Sequence, residues 1–274
     1  MTLTDEWLDV TAAAREGKLD PVVGRERELD RMVRVLLRRT RNNPLLVGPP
    51  GAGKTALVEA LAQRIAAGAV PEPLKATRIC AFDLGLIVAE ARARGDTRPL
   101  EAHFSDALAR RRADGAGPGR LGTVLFLDEL HLLVAGAAEG APGMVGLLRL
   151  ALARGDLALI VETTPEHHAR YRAAAAELDG LFQPIVITEP SVEETVAILC
   201  GVAPRYAAFH GVEFDGAALR AAAALAGERF TAARALPDPA IDLLDEAAAQ
   251  ARAEDRTIVT EADVTAVAEL WSAG

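Results

Sequence analysis

The fold of this chain is indicated by residues 44–55, which read PLLVGPPGAGKT. The first four residues are an apolar run, and the rest has the spacing G-x-x-x-x-G-K-T. Glycines at this spacing let the backbone bend closely around an anion, so that successive N–H groups and the start of a following helix point at a phosphate. Residues 56–62, ALVEALA, predict that helix. The stretch therefore predicts a strand, a phosphate-binding loop and a helix, with a glycine-rich turn that binds nothing as the alternative.

The same spacing assigns chemistry to residues of the loop. Lys54 is expected to reach the β- and γ-phosphate oxygens of ATP, and the hydroxyl of Thr55 is expected to ligate Mg²⁺. ATP and Mg²⁺ are therefore the predicted cofactors. The predicted nucleotide-binding residues in this stretch are Gly48, Pro49, Pro50, Gly51, Ala52, Gly53, Lys54, Thr55 and Ala56.

A second apolar run, from Thr123 to Leu127, is followed by two acids, Asp128 and Glu129. It predicts a buried parallel strand, and ligands bind at the edge of a parallel sheet where the carboxyl ends of the strands lie. Asp128 is expected to hold the Mg²⁺ shell and Glu129 to orient the attacking water. Most acid pairs after a strand only solvate its end, but the phosphate-binding loop upstream favours the catalytic interpretation.

Strands alternate with helices along the first 190 residues, which is typical of a parallel sheet covered by helices on both faces. After residue 190 the strand signals stop, and Ser191-x-x-Glu194 and Thr260-x-x-Asp263 offer helix capping boxes. The predicted fold class is α/β, with a nucleotide-binding α/β domain at residues 1–190 and a small all-α lid domain at residues 191–274. The predicted strands are 44–47, 78–83, 123–127, 157–161 and 185–188, and a helix is predicted from Glu26 to Arg39.

Composition narrows the classes of function. A formal net charge of −9 over 274 residues argues against a nucleic-acid binder, because cationic contacts to phosphate supply most non-specific affinity. We see neither a signal peptide nor an apolar run near the roughly 18 residues of a membrane helix, so we expect a cytoplasmic protein without membrane contact. Cys80 and Cys200 lack metal-binding spacing and are expected to pack as small apolar groups.

Seven stretches spread along the chain resemble one protein family. They are AREGKLDPVVGR at 14–25, RRTRNNP at 38–44, DELH at 128–131, ALARG at 151–155, FQP at 182–184, EPSVE at 189–193 and LPDPAIDL at 236–243. Together they resemble the first ATPase domain of the Clp family of AAA+ unfoldases and disaggregases, including the ClpB, ClpA, ClpC and ClpV branches. The resemblance covers nearly the whole chain.

The resemblance implies a P-loop AAA+ fold and ATP hydrolysis. It implies that Pro21, Val22 and Val23 line the adenine together with the next glycine, that Thr164 is the sensor of the γ-phosphate, and that Ile241 closes the lid side. Lys54, Glu129 and Thr164 are then the expected catalytic residues. It also implies protein clients or a Clp-type partner ATPase, in a ring of like or mixed subunits.

The sequence omits the N-terminal, middle and second ATPase domains of that family, and it ends three residues after Trp271. We expect a single-ring relative if the sequence is complete, although a piece cut from a longer protein would read the same.

One departure from the family pattern concerns hydrolysis. Two arginines that precede Phe-Gln-Pro in the family and reach a neighbouring γ-phosphate are here Gly180 and Leu181. Since such a finger can be worth about 10³ to 10⁵ in turnover, slow unaided hydrolysis is expected. The alternative is that Arg170 or Arg172 substitutes.

A second departure concerns the pore loop, where the family places an aromatic residue that grips the threaded polypeptide. Here that residue is Ala93, which cannot supply aromatic contact area, with Phe104 as the alternative. Two functions therefore remain open: a motor that remodels protein clients, and a nucleotide-dependent regulatory or adaptor subunit that joins a Clp-type or secretion-associated complex without threading. A nucleic-acid remodelling ATPase has the fold class in its favour and the net charge against it.

Overall fold

A computed structural model describes residues 7–82, 95–96, 102, 105, 121–127, 146, 152, 158–174 and 180–273. The chain divides into two compact units that do not follow its linear order. The sheet unit comprises Met1–Leu19, Arg27–Val47 and Leu57–Val186. The lid unit comprises Asp20–Glu26, Gly48–Ala56 and Ile187–Gly274.

In the described part of the sheet unit, six strands form one sheet in the order β1-β3-β4-β5-β2-β6. All neighbouring strands are parallel except β1, which pairs antiparallel with β3. The strands are β1 (Trp7–Asp9), β2 (Asn43–Val47), β3 (Arg78–Phe82), β4 (Thr123–Leu127), β5 (Ala158–Thr163) and β6 (Phe182–Val186). The α/β fold class is confirmed, and the antiparallel edge strand makes the sheet mixed.

The central strands are apolar because both of their faces are covered. Every residue of β2, β4 and β5 is buried, as expected for parallel strands between helical layers. On β6, by contrast, burial alternates, and its last residue Val186 is 67% exposed. The continuous apolar runs in the sequence therefore identified the middle of the sheet more clearly than its edges.

One polar residue helps to hold the middle of the sheet together. Asn43 is 2% exposed, its amide oxygen accepts a hydrogen bond from the Leu159 N–H at 3.0 Å, and its amide nitrogen donates to the Leu181 carbonyl at 3.0 Å. The side chain thus links β5 with the residue that precedes β6, on either side of β2. The pairing satisfies polar groups that would otherwise be costly to bury.

The helices in the first part of the chain differ from the prediction in one end point and in one additional helix. The helix predicted from Glu26 to Arg39 ends at Leu36, and a short helix before it was not predicted. The Asp9 carboxylate caps that short helix by accepting from the Ala12 N–H at 2.9 Å. The bounds are α1 (Val10–Arg15), α2 (Glu26–Leu36), α3 (Lys54–Ala66), one 3-10 turn (Glu72–Leu74) and α4 (Pro165–Ala174).

The lid unit contains a helical layer with an alanine-rich core. Its helix α6 buries Ala218, Ala222, Ala223 and Ala226, so neighbouring helices approach closely. The helices are α5 (Val192–His210), α6 (Gly216–Arg229), α7 (Asp238–Ala253) and α8 (Glu261–Ala273). Two short strands, β7 (Glu213–Phe214) and β8 (Ile258–Val259), pair in parallel. The predicted helical lid is confirmed, and this strand pair is a detail that the sequence did not predict, because a two-residue pair leaves no periodic signal.

Both predicted caps are present at helix starts, with different chemistry. At α5 the Ser191 hydroxyl accepts from the Glu194 N–H at 3.1 Å, and the Glu194 carboxylate accepts from the Ser191 N–H at 2.8 Å. Before α8, the Asp263 carboxylate accepts from both the N–H and the hydroxyl of Thr260, at 2.7 and 2.8 Å. The cap at Ser191 is therefore a reciprocal capping box, whereas in the cap at Thr260 the Asp263 carboxylate accepts both bonds.

The two cysteines differ in burial. Cys80 is buried in β3, as expected, whereas Cys200 is exposed on α5. The expectation that both would pack as small apolar groups is therefore wrong for Cys200.

Candidate functional site

The phosphate-binding loop predicted from the sequence lies between β2 and α3, in the lid unit. φ is +82° at Gly51 and +84° at Gly53, and it is not positive at the intervening Ala52. Alternation between left-handed and right-handed residues is the backbone pattern of an anion-binding nest, in which N–H groups turn toward one side. In this loop the Ala52 N–H donates to the Pro49 carbonyl at 3.3 Å. The loop therefore has the backbone geometry needed to hold phosphate.

The outer side of this loop packs against the segment that leads into α7. The Ala235 N–H donates to the Pro50 carbonyl at 2.8 Å. A Cβ added at Gly51 would lie 2.7 Å from the Ala235 carbonyl oxygen and 2.8 Å from the Asp238 Cβ, so any larger residue would force the backbone apart. Glycine at this position is required by the close approach as well as by its φ.

The loop lysine bonds to the loop itself. The Lys54 ammonium donates to the carbonyls of Gly48 and Pro49, at 3.1 and 3.0 Å. Charge-assisted bonds to phosphate oxygens are stronger than bonds to neutral carbonyls, so an arriving phosphate can draw the ammonium away from the loop.

Half-buried Val22 and Val23 belong to the same unit as the loop, and Pro21 beside them is exposed. The segment packs closely on α5, because a Cβ added at Gly201 would lie 2.4 Å from Val23 Cγ2. The segment predicted to line adenine is therefore held against the lid helix α5.

Arg25 and Glu189 are polar residues near the loop that sequence reasoning did not select. The Arg25 guanidinium donates to the Ala52 carbonyl of the loop at 3.1 Å and to the Thr188 carbonyl at 2.7 Å. The Glu189 carboxylate accepts from the Leu236 N–H at 2.8 Å. Arg25 directly follows the predicted adenine segment, and this adjacency is the signal in the sequence that could have identified it.

The lid unit has a charged cluster where the chain enters α7. The Arg234 guanidinium lies 2.7 Å from Asp242 and 2.8 Å from Asp238, and hydrogen bonding, first to Asp242, raises the pKa of the arginine. Ile241 lies on the same helix, half-buried and packed against the lid core. Asp238 is also the residue that approaches Gly51.

The sheet unit collects the ends of β2, β4 and β5 at one edge. Thr163 on β5 is the register partner of Val47 on β2, and Val161 is the partner of Leu127 on β4. Asp128 and Glu129 follow β4 in the chain and lie outside the described residues, as do Ala93 and Phe104. The parallel registers place the strand ends that precede these acids at the edge where ligands bind.

The predicted sensor residue, Thr164, directly precedes α4. Its hydroxyl oxygen accepts from the His167 N–H at 3.2 Å, and its carbonyl accepts from the His168 N–H at 2.9 Å. A hydroxyl that accepts a bond keeps its own proton to donate. Glu162, two residues earlier, is 4% exposed and is the register partner of Leu46 within the sheet.

The positions of the two missing arginines are described by the structure. Gly180 is exposed and Leu181 is partly buried, and together they directly precede β6. Neither residue has a side-chain group that can donate a hydrogen bond to a phosphate. Arg170, the described alternative, is exposed on α4.

Comparison with known proteins gives two family matches, one to an earlier and one to a later part of the chain. The profile described as AAA ATPase domain matches residues 21–161, and the one described as AAA lid domain matches residues 191–270. The chain belongs to the AAA ATPase domain family. The resemblance to Clp-type AAA+ proteins predicted from the sequence is confirmed.

Individual relatives agree with this assignment. This AAA ATPase domain is 46% identical over 252 residues to the chaperone protein ClpB of Rhodopirellula baltica, and 48% identical over 246 residues to that of Meiothermus ruber. The matches cover 92% and 89% of the chain, but 28% of each relative. The chain therefore spans between a quarter and a third of the length of these curated relatives.

Solved structures show the same fold. A closed-state cryo-EM reconstruction of Hsp104 with ATPyS and FITC casein matches with a TM-score of 0.84 and 38% identity, over 97% of this chain and 44% of that one. An S. cerevisiae Hsp104-ADP complex matches with a TM-score of 0.81 and 39% identity, over 92% of this chain and 34% of that one. The AAA+ fold class predicted from the sequence is confirmed.

Among the residues that the structure describes, no helix combines the length and the apolar character needed to cross a membrane.

Proposed function

We propose that this AAA ATPase domain binds ATP with Mg²⁺ and hydrolyses it to ADP and phosphate, as the nucleotide-driven part of a Clp-like protein-remodelling machine. The observation that carries the proposal is the loop of residues 48–55, in which the φ values of Gly51 and Gly53 turn the N–H groups into an anion nest. The Lys54 ammonium beside that nest adds the positive charge that a triphosphate needs.

The roles of the remaining polar residues follow from their places in the chain. Thr55 is the second residue of α3 and Asp128 follows β4, so a hydroxyl and a carboxylate would supply the oxygen ligands that Mg²⁺ prefers. Mg²⁺, when bound, neutralises charge on the phosphate oxygens. Glu129 would orient the attacking water, and the Thr164 hydroxyl, which accepts a bond from the His167 N–H, would donate a hydrogen bond to the γ-phosphate.

The base would bind beside the phosphate-binding loop in the lid unit. Half-buried Val22 and Val23 with Pro21 supply apolar contact for adenine, and Ile241 would close the pocket from α7. Adenine pockets are mostly apolar with few polar contacts, which fits these side chains.

The wider role rests on the relatives. ClpB is named a chaperone protein, and one Hsp104 structure contains casein, so protein clients or a Clp-type partner ATPase are the proposed partners, in a homo- or hetero-oligomeric ring. The family matches favour a nucleotide-binding domain at residues 1–190 and a lid domain at residues 191–274. A cytoplasmic location remains a prediction from the sequence.

A second function is favoured by the side chains before β6. Since exposed Gly180 and partly buried Leu181 stand where the family has two arginines, a neighbouring site would receive no positive charge from them. Hydrolysis would then be slow, and the protein would act as a nucleotide-dependent regulatory or adaptor subunit that joins a Clp-type or secretion-associated complex.

The test is steady-state ATP hydrolysis per chain, measured against protein concentration. Glu129→Gln serves as the hydrolysis blank, and Lys54→Ala as the variant that should lose nucleotide binding as well. The paired change Gly180→Arg with Leu181→Arg is expected to raise turnover if subunits complete one another's sites. Arg170→Ala tests whether that arginine acts as the finger.

Turnover that rises with concentration and depends on Glu129 supports an ATPase whose subunits act on one another. Flat turnover at the level of the blank, with ATP still bound, supports the regulatory subunit. Absence of ATP and ADP binding to the native chain would reject both functions.

A further inference from the structure

Arg25 has an unusual backbone conformation for a residue with a side chain. Its φ is +69°, and the preceding Gly24 has φ +74°, so the chain turns through two left-handed residues. A left-handed non-glycine residue carries strain, and such residues persist where surrounding contacts hold them. Here the holding contacts are made by the arginine side chain itself.

The guanidinium bridges two carbonyls of the lid unit through a single nitrogen. Nη2 donates to the Thr188 carbonyl at 2.7 Å and to the Ala52 carbonyl of the phosphate-binding loop at 3.1 Å. An Nη nitrogen carries two hydrogens, so both bonds form together. The shorter bond, to Thr188, fixes the position of the guanidinium, and the bond to Ala52 holds one peptide group of the loop.

That peptide group joins Ala52 to Gly53. In a trans peptide the C=O and N–H point in opposite directions, and the described cis bond of this chain lies elsewhere, between Leu236 and Pro237. Because the carbonyl is turned toward Arg25, the Gly53 N–H must point away from Arg25. The alternation of φ at Gly51, Ala52 and Gly53 is that of an anion-binding nest, in which the Gly53 N–H faces the anion. The Ala52 N–H instead donates to the Pro49 carbonyl at 3.3 Å.

We propose that Arg25 is a positioning residue: by holding the Ala52 carbonyl, it aims the Gly53 N–H at the β-phosphate of a bound adenine nucleotide. The inference rests on the proposed nucleotide binding and adds a side chain outside the loop that sets the loop's affinity for phosphate. The neighbouring Pro50 carbonyl is held by a backbone N–H, that of Ala235, which no side-chain substitution removes. The bond from Arg25 to the Ala52 carbonyl, in contrast, can be removed by a side-chain substitution.

The experiment compares the dissociation constants of Mg-ADP and AMP for the native chain, Arg25→Ala and Arg25→Lys. In Arg25→Ala the charge-assisted bond from the Gly53 N–H to the β-phosphate is lost or misaligned. The dissociation constant of Mg-ADP is therefore expected to rise about 10- to 100-fold. AMP lacks the β-phosphate, so its constant is expected to change less than about twofold. Arg25→Lys keeps the charge and can reach one carbonyl, and it is expected to recover part of the loss.

Two further measurements separate positioning from folding. The ³¹P resonance of the β-phosphorus of bound ADP should shift in Arg25→Lys while that of the α-phosphorus stays in place. Arg34→Ala removes a charge from the exposed side of α2 and should leave both constants unchanged. If Arg25→Ala does not give a cooperative melt, Arg25→Lys alone is compared with the native chain.

An ADP constant that is unchanged in the Arg25 variants would overturn the inference. Equal weakening of ADP and AMP would overturn it too, since that result means that the adenine segment has been disturbed. If the native chain binds neither nucleotide, the proposed function itself fails, which is a distinguishable result.

Discussion

The substitution Gly201→Ala tests how tightly α5 holds the predicted adenine segment. Gly201 lies in the middle of α5, and a Cβ built on it would be 2.4 Å from Val23 Cγ2 and 3.7 Å from Val23 Cβ. Carbon atoms in contact ordinarily lie about 3.5 to 4.0 Å apart. The new methyl group and the Cγ2 of Val23 must therefore separate by more than about 1 Å, or the valine must change rotamer.

The expected cost follows from two opposing effects. Overpacking of a well-filled contact costs about 1 to 3 kcal/mol, and an overlap of this size belongs in the upper part of that range. Replacing glycine by alanine inside a helix gains about 1 kcal/mol. The net expectation is a loss of about 1 to 2 kcal/mol in the free energy of unfolding, together with weaker ADP binding because Val23 is displaced.

The assay is urea unfolding of the native chain, Gly201→Ala, Val23→Ala and the double variant. Val23→Ala removes the colliding Cγ2, so the double variant should be more stable than the sum of the single effects by at least about 1 kcal/mol. The matched control is Gly227→Ala on α6, where the added Cβ would meet Val192 and Leu236 at 3.3 and 3.4 Å and the helix gain is the same. We expect this control to be nearly neutral.

The reasoning is refuted if Gly201→Ala is as stable as the control, or if Val23→Ala restores nothing to it. Either result would mean that α5 does not pack closely against Val23 at Gly201. Unchanged ADP affinity in a destabilised Gly201→Ala would contradict the placement of adenine beside Val23.

Substitutions at three further positions test contacts that lie within one unit or the other. Asn43→Ala leaves a buried Leu159 N–H without its acceptor, and we expect the midpoint of urea unfolding to fall by the equivalent of about 2 to 3 kcal/mol. Ser191→Ala removes the cap of α5 and should cost about 1 kcal/mol in the same assay, whereas Ser191→Asp should retain most of that stability. Burial raises the pKa of Asp263, but the bonds from Thr260 and Arg256 outweigh it and leave that pKa lowered. Its ionised form therefore stabilises the fold above the ordinary aspartate pKa of about 3.9, and this contribution is lost as pH falls through the folded-state value. The stability difference between the native chain and Asp263→Asn should be full at pH 7 and shrink below about pH 4; a constant difference would contradict the assignment.

The strands at the edges of the sheet show where the sequence was ambiguous. The last strand was predicted at 185–188 and lies at Phe182–Val186. Pro184 has no N–H to donate to a neighbouring strand, but an edge strand tolerates proline, and β6 is at the edge. β1 has three residues and pairs with β3 across more than 70 positions, from Trp7 to Phe82, which no local pattern can reveal.

The sequence by itself determined the phosphate-binding loop, the buried strands β2 and β4, the cap at Ser191 and the family, because each depends on residue types at short spacing. Tertiary structure alone decided which groups orient that loop. Arg25 bonds to Thr188, 163 residues away, and Ala235 reaches the Pro50 carbonyl. Such contacts depend on backbone atoms that are the same in every residue, so side-chain identity along the chain does not encode which of them will meet.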